Sequence, residues 1–92
     1  EHSRDELIPS AFPNPAQNRV SIQFSAPSSG VYLVEVYSVL GQRIAFEEVL
    51  ISVGDTARLE LALGEFPSGL YLYRITMPSS GLIGSGTFNR FR

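Results

Sequence analysis

The sequence of 92 residues contains no cysteine, no lysine and a single histidine. Without cysteine the chain forms neither disulfide bonds nor thiolate metal sites, so its stability must come from the burial of apolar side chains. The net charge of −2 provides no basic field for phosphate groups, which argues against a nucleic acid partner. No stretch approaches the roughly 18 apolar residues of a transmembrane helix, and we expect no membrane span.

The scarcity of histidine and lysine also limits catalysis. His2 lies in a charged N-terminal run, and without a second histidine or a lysine a nucleophilic triad is excluded in practice. Glu47 and Glu48 are adjacent in a predicted strand, so their carboxylates lie on opposite faces and cannot flank one substrate bond. Asp55 with Asp5 is a weak candidate for Ca²⁺, because no acidic cluster supports it. The sequence therefore predicts a protein that is not an enzyme and holds no metal or cofactor.

Alternation of apolar and polar residues with a period of two dominates the chain. It predicts strands around residues 7–12, 19–25, 31–38, 44–51, 57–63, 70–77 and 82–91, separated by turns rich in Gly, Pro and Ser. Short strands at this spacing indicate an all-β fold, and we predict an immunoglobulin-like antiparallel β-sandwich of about seven strands. The residues predicted to fill its core are Val20, Ile22, Phe24, Val34, Val36, Ile44, Phe46, Leu59, Leu61, Tyr73 and Ile75.

Two further expectations concern the strand at 31–38 and the late glycines. Glu35 is predicted to mark the solvent-facing side of that strand, and Tyr37 is the tyrosine for which we most expect exposure. The glycines at 81, 84 and 86 lack the strand–turn–helix unit of a phosphate-binding loop. Glycines within a strand instead indicate a bulge or the close approach of another segment.

Residues 12–16 read Phe-Pro-Asn-Pro-Ala. Each proline fixes its own φ and favours an extended conformation in the residue before it, so this segment is rigid and cannot be helical. We expect Phe12 to plug one end of the core, and Asn14 to make an Asx-type hydrogen bond to the backbone that follows it. Residues 1–6 are charged without apolar periodicity and begin with neither a methionine nor a signal peptide, so we expect the linker end of a longer protein.

Four motifs occur in order along the chain: Phe-Pro-Asn-Pro-Ala at 12–16, Ile-x-Phe at 22–24, Val-Tyr-x-x-x-Gly-x-x-Ile at 36–44 and Gly-x-Tyr-x-x-x-Ile at 69–75. A short basic and apolar strand follows at 87–92. In this order the motifs resemble the type A C-terminal sorting domain of the type IX secretion system, found in secreted proteins of Bacteroidota and related bacteria. The pattern is also similar to immunoglobulin-like modules of flagellar hook-capping proteins. The family motif positions are Phe12, Tyr37, Gly41, Gly69 and Tyr71.

The resemblance implies a linker end at 1–10 and a sorting domain at 11–92 that directs an N-terminal cargo protein across the outer membrane. In that family the cargo passes through the periplasm and reaches the outer membrane surface or the medium. The implied partners are an outer-membrane translocon and a sortase-like peptidase that cuts in the linker and attaches cargo to the surface. The residues then expected to contact the translocon are Phe88, Arg90, Phe91, Arg92, Pro13, Asn14 and Pro15.

The last strand departs from the family pattern, because Thr87 and Asn89 stand where a lysine and an apolar residue are usual. A second interpretation also stays open: an accessory immunoglobulin-like spacer or carbohydrate-binding module of a secreted enzyme. Aromatic rings that stack on sugars would have to form an exposed planar row. The exposure of the four tyrosines therefore distinguishes the two interpretations.

Overall fold

The computed structural model describes residues 7–79 and 81–91, and for residues 82 and 83 the backbone alone. Over these residues the chain forms seven β-strands and no helix. Their bounds lie within a few residues of those that the alternation pattern predicts, and the first strand is shorter than expected. The strands are β1 (Ser10–Phe12), β2 (Arg19–Ser25), β3 (Gly30–Ser38), β4 (Arg43–Ile51), β5 (Thr56–Ala62), β6 (Gly69–Met77) and β7 (Leu82–Arg90).

The strands form two antiparallel sheets that pack face to face. One sheet has three strands in the order β1-β2-β5, and the other has four in the order β4-β3-β6-β7. The inward-facing residues of both sheets share one hydrophobic core, as expected when two sheets stack with their apolar faces together. This arrangement confirms the predicted all-β sandwich.

The core is filled mainly by aliphatic side chains, with aromatic rings at both ends. Phe24 packs against Tyr32 with ring centroids 5.5 Å apart, and Tyr71 stacks on Phe88 at 5.4 Å. The Tyr32 hydroxyl donates a hydrogen bond of 2.6 Å to the carbonyl of Ser28, which satisfies its only buried polar group. The largest side chains that are essentially inaccessible to solvent are those of Tyr32, Phe88, Ile22, Leu63, Ile75, Val20, Val34 and Val36.

The predicted core assignments of Ile44 and Phe46 were wrong, since these side chains are 37% and 58% exposed. The pairing of β3 with β4 shifts between Val36 and Tyr37, so that Val36 lies opposite Ala45 while Tyr37 lies opposite Arg43. Directly opposite residues of an antiparallel pair share a face, so Ala45 points inward with the buried Val36, and Phe46 points outward with Glu35. Ile44 alternates with Ala45 and therefore points outward as well. Leu59 and Leu61 on β5 are half-buried rather than fully buried.

The glycines of β7 allow other segments to approach the strand closely. A Cβ atom at Gly84 would lie 2.6 Å from the backbone oxygen of Leu7, and one at Gly86 would lie 2.5 Å from Cζ of Tyr73. The predicted close approach is confirmed for these two residues. Gly81 has a different role, because it adopts a φ of 78° in the turn that precedes β7.

Candidate functional site

The Phe-Pro-Asn-Pro-Ala segment lies along the last strand. The side chain of Asn14 acts as a one-residue strand partner for β7, because its Oδ1 accepts a hydrogen bond of 2.9 Å from the backbone N–H of Asn89. Its Nδ2 donates a longer hydrogen bond of 3.4 Å to the carbonyl of Thr87. The expected local Asx-type bond was therefore wrong: the partners of Asn14 lie more than 70 residues further along the chain.

Backbone groups continue this contact beyond Asn14. The N–H of Ala16 donates to the carbonyl of Asn89 at 2.7 Å, and its own carbonyl accepts from the N–H of Phe91 at 2.9 Å. Arg90 then donates from Nε to the carbonyl of Gln17, also at 2.9 Å. We call Asn14, Ala16 and Gln17 the β7 clamp. It pairs the end of β7 with a rigid segment in which both X–Pro peptide bonds, Phe12–Pro13 and Asn14–Pro15, are cis.

Sequence patterns missed two members of the clamp. Ala16 and Gln17 contribute only backbone groups, and Ala16 is fully buried against β7. A small residue after the second proline leaves room for this approach, but alternation patterns report side chains and give no information on backbone pairing partners.

The clamp brings together two groups of residues that lie far apart in the sequence and were each expected to contact the translocon. Pro13, Asn14 and Pro15 are exposed beside the end of β7, and Phe91 is 46% exposed. Phe88 is fully buried and Arg90 is only 7% exposed, so neither side chain is on the surface. Nη1 of Arg90 is buried and has no hydrogen-bond partner among the residues described. Arg92 lies outside the described residues.

The expected position of Phe12 was wrong. Its side chain lies on the outer face of the three-stranded sheet, 37% exposed, where the guanidinium group of Arg58 covers the ring at 5.0 Å. Phe12 pairs with Ser21 across the sheet, and Ser21 in turn pairs with Glu60. This register places Phe12 on the outward face, away from the core.

The outer face of the four-stranded sheet carries a buried carboxylate. Glu35 was expected to face solvent, and it does lie on the outer face, but it is only 5% exposed. Its carboxylate accepts hydrogen bonds of 3.0 Å from Nη1 of Arg43, Nη2 of Arg74 and the Tyr37 hydroxyl, and these side chains cover it. Tyr37, the tyrosine expected to be most exposed, is therefore half-buried.

The surroundings of Glu35 act in opposite directions on its pKa. Burial by itself raises the pKa, because it disfavours the charged form. The hydrogen bonds from Arg74, Arg43 and Tyr37 outweigh burial, and the pKa of Glu35 lies below its ordinary value of 4.5. The same contact with Glu35 raises the pKa of Arg74. The carboxylate is thus ionised at neutral pH.

Membrane-spanning helices and metal-binding clusters are both absent from the described part of the chain. No helix long and apolar enough to cross a membrane occurs among residues 7–79 and 81–91. In that same part of the chain, no group of three or more His, Asp or Glu side chains is placed to hold a metal ion.

The sequence matches the profile of the secretion system C-terminal sorting domain family over residues 10–83. The chain belongs to this family. A search of curated proteins finds no matching relative. The domain is a C-terminal sorting signal for type IX secretion, a non-catalytic role, as the sequence motifs indicated. Such a signal implies a cargo protein, a secretion machinery that reads it, and export across the outer membrane toward the cell surface or the extracellular space.

Four of the residues predicted to be family motif positions border one end of the sandwich. Gly69 and Tyr71 line a groove of about 510 Å³ beside the β3–β4 turn, and Tyr37 and Gly41 line a second groove of about 450 Å³ on the other side of the same turn. Gly41 has a φ of 86°, which a residue with a side chain rarely adopts, and this explains the glycine in the turn. Tyr71 is buried, and its hydroxyl donates to the carbonyl of Pro67.

Proposed function

We propose that the secretion machinery recognises the end of β7 in its folded, clamped form. The observation that supports this proposal is the exposure of Pro13, Asn14 and Pro15 directly beside β7, next to the half-exposed ring of Phe91. Together they form a surface that exists only when the first and last parts of the domain are both in place. An outer-membrane translocon that binds this surface would accept only a sorting domain that has folded.

Phe88 and Arg90 contribute to this surface indirectly. Phe88 anchors β7 in the core through its stacking on Tyr71, and Arg90 fixes the clamp through its hydrogen bond to Gln17. We assign these two residues the task of ordering β7, and Phe91 and Arg92 the task of contacting the translocon.

The proposed path of the cargo follows from the position of the clamp near the start of the domain. Residues 1–10 would be the end of a linker from the cargo protein, which passes through the periplasm and is freed or attached to the surface by a sortase-like peptidase. Leu7 is buried against Gly84, so residues from Leu7 onward pack on the domain. We therefore place the peptidase site before Leu7, where cleavage leaves the clamp intact.

The tyrosines give no support to a carbohydrate-binding module. Tyr32, Tyr71 and Tyr73 are buried in the core, and the Tyr37 hydroxyl is bonded to Glu35. The exposed row of aromatic rings that such a module needs is not formed by these four side chains.

A reporter fusion tests the proposal. The chain would be joined behind a signal peptide and a fluorescent protein in a bacterium with type IX secretion, as the unchanged sequence, as Asn14→Ala and as Phe91→Ala. Asn18→Ala is the matched control, because Asn18 is an exposed asparagine from the same loop, and its backbone carbonyl accepts a hydrogen bond from Leu63 just after β5. We expect the unchanged chain and the control to reach the medium or cell surface, and the two variants to accumulate in the periplasm.

Folding must be measured separately from export. Asn14→Ala loses one good and one weak hydrogen bond to β7, which costs about 1 kcal/mol and leaves the purified domain folded. Circular dichroism of each variant checks this point. Normal export of both folded variants would show that the machinery does not read the clamped end of β7.

A further inference from the structure

The sandwich has four edge strands, and three of them are protected against pairing with another chain. The edge of β7 is occupied by the clamp through Asn14 and Ala16. β1 has only three residues. β4 is interrupted by the shift in pairing near Val36, and it carries Glu47 opposite the inward-facing Val34, so a charge points toward the core side of that edge.

β5 lacks these protective features. Its pairing with β2 runs without interruption from Thr56 to Ala62, and it contains no proline. Its inward residues Ala57, Leu59 and Leu61 are apolar and only half-buried, whereas its charged residues lie on the outward face alone. Among the described residues, this edge is therefore uninterrupted, apolar on its inner side and open to a further strand.

The direction of the free backbone groups follows from the hydrogen bonds at both ends of β5. The N–H of Leu63 donates to Asn18 at 2.9 Å, and the carbonyl of Asp55 accepts from Ala26 at 3.0 Å. In an antiparallel pair, residues that bond to the neighbouring strand alternate with residues whose groups point away from it. The odd-numbered residues of β5 thus bond to β2, and the N–H and carbonyl groups of the even-numbered residues point to the open edge.

We propose that β5 pairs with β5 of a second copy of this chain, antiparallel about a two-fold axis at Leu59. The order Thr-Ala-Arg-Leu-Glu-Leu-Ala is self-complementary in this register. Arg58 of each copy lies opposite Glu60 of the other copy. These two residues are even-numbered, so their backbone N–H and carbonyl groups point to the open edge and can bond across it. Ala57 lies opposite Leu61, and the two Leu59 side chains meet at the axis.

Charge and burial both favour a second copy as the occupant of this edge. Two Arg58–Glu60 pairs form at once across the two-fold axis, and opposite charges that face each other across strands are stabilising. The half-buried Leu59 and Leu61 side chains gain cover from their counterparts, and the three-stranded sheets join into one sheet of six strands. An isologous contact of this kind closes at the dimer and does not propagate.

The proposed contact is small, so the dimer should be weak. A single pair of seven-residue strands with about eight backbone hydrogen bonds buries less than the area of a standard stable interface. We expect a dissociation constant of roughly 10–1000 μM, which gives a monomer at low concentration and a dimer where many copies are crowded together. This inference does not depend on how the secretion machinery reads β7.

Sedimentation equilibrium of the 92-residue chain over a range of concentrations tests the pairing. Arg58→Glu and Glu60→Arg each place like charges opposite each other at both pairs, and we expect either one to weaken association roughly tenfold or more. The double swap Arg58→Glu with Glu60→Arg restores opposite charges and should restore the dimer. Glu48→Arg makes the same kind of change on the protected edge strand β4 and should leave association unchanged.

Each possible result either supports or refutes the pairing of β5 with a second copy. Weakening by either single reversal and recovery in the double swap supports the pairing, because a loss of fold would not recover with both charges exchanged. Circular dichroism verifies that each variant is folded. A chain that stays monomeric at millimolar concentration refutes the proposal and leaves the edge to a strand from another protein. A dimer whose association is unchanged in all three β5 variants also refutes the proposal, since such a dimer must use a different surface.

Discussion

Glu35 offers the sharpest test of how the outer face of the four-stranded sheet is held together. Glu35→Gln keeps the size of the side chain and removes its charge. The carboxylate now binds two guanidinium groups and one hydroxyl, whereas the glutamine offers one carbonyl oxygen and turns an NH₂ group toward one of the arginines. We therefore expect a loss of stability without a change of fold.

The size of this loss depends on the exposure of the partners. A hydrogen bond to a charged group contributes about 1.5–3 kcal/mol when it is buried. The side chains of Arg43 and Arg74 are 45% and 49% exposed, however, so water screens their interaction and solvates them again when the carboxylate is lost. We expect a decrease of about 1–2 kcal/mol in the free energy of unfolding, and for a domain of this size a decrease of roughly 5–15 °C in Tm.

The dependence on pH provides an independent check on the mechanism. The pKa of Glu35 is lower in the folded chain than its ordinary value of 4.5, so the unfolded state takes up a proton first as the pH falls. The stability from this group is fully present above that value and is lost as the pH falls through the folded pKa. The difference in stability between the native chain and Glu35→Gln should thus be largest near about pH 7 and should decrease as the pH falls below 4.5.

Thermal unfolding followed by circular dichroism at about pH 7 and about pH 3 measures both effects. Glu48→Gln is the matched control, because Glu48 is an exposed glutamate on the adjacent strand β4 and should change Tm by little at either pH. Equal stability of Glu35→Gln and the native chain at neutral pH would refute the reasoning. So would a difference of the same size at both pH values, since it could not arise from the charge.

Two further predictions concern β7. Gly86→Ala should destabilise the fold by about 1–3 kcal/mol in urea titrations, because its Cβ would press on the buried ring of Tyr73. Gly64→Ala is the control and should be nearly neutral, because no atom lies within 4 Å of a Cβ at that position. Equal effects in the two variants would contradict the close approach at Gly86. Phe88→Ala should cost about 3–5 kcal/mol because the ring is fully buried, whereas Phe91→Ala, at a half-exposed ring, should cost much less. Similar losses in the two phenylalanine variants would mean that β7 is not anchored as described.

The clamp joins the two most separated motifs of the chain. The Phe-Pro-Asn-Pro-Ala segment and the last strand lie at opposite ends of the sequence, and they meet through the side-chain amide of Asn14 and the backbone of Ala16. A proline-rich segment has few conformations to lose on folding, so it is well suited to hold a strand edge with few contacts. Protection of that edge also prevents unwanted pairing before export.

The sequence by itself determined the strands, the class of fold and the family. Alternation of apolar and polar side chains reports which face of a strand is buried, and it placed Val20, Ile22 and Val34 in the core correctly. It also identified Gly84 and Gly86 as points of close approach, because a glycine inside a strand weakens the strand and is typical of places where another segment needs the room. The motifs added the family, which no single strand pattern reveals.

Only the tertiary structure decided the register and the long-range partners. The register of β3 and β4 places Ala45 opposite the buried Val36 and Phe46 opposite Glu35, so Ile44 and Phe46 point outward although they alternate correctly with their neighbours. Glu35 lies on the outward face as its charge suggests, yet arginines from two other strands bury it. Periodicity is a local property of one strand, whereas register and the clamp depend on hydrogen bonds between segments that are far apart in sequence.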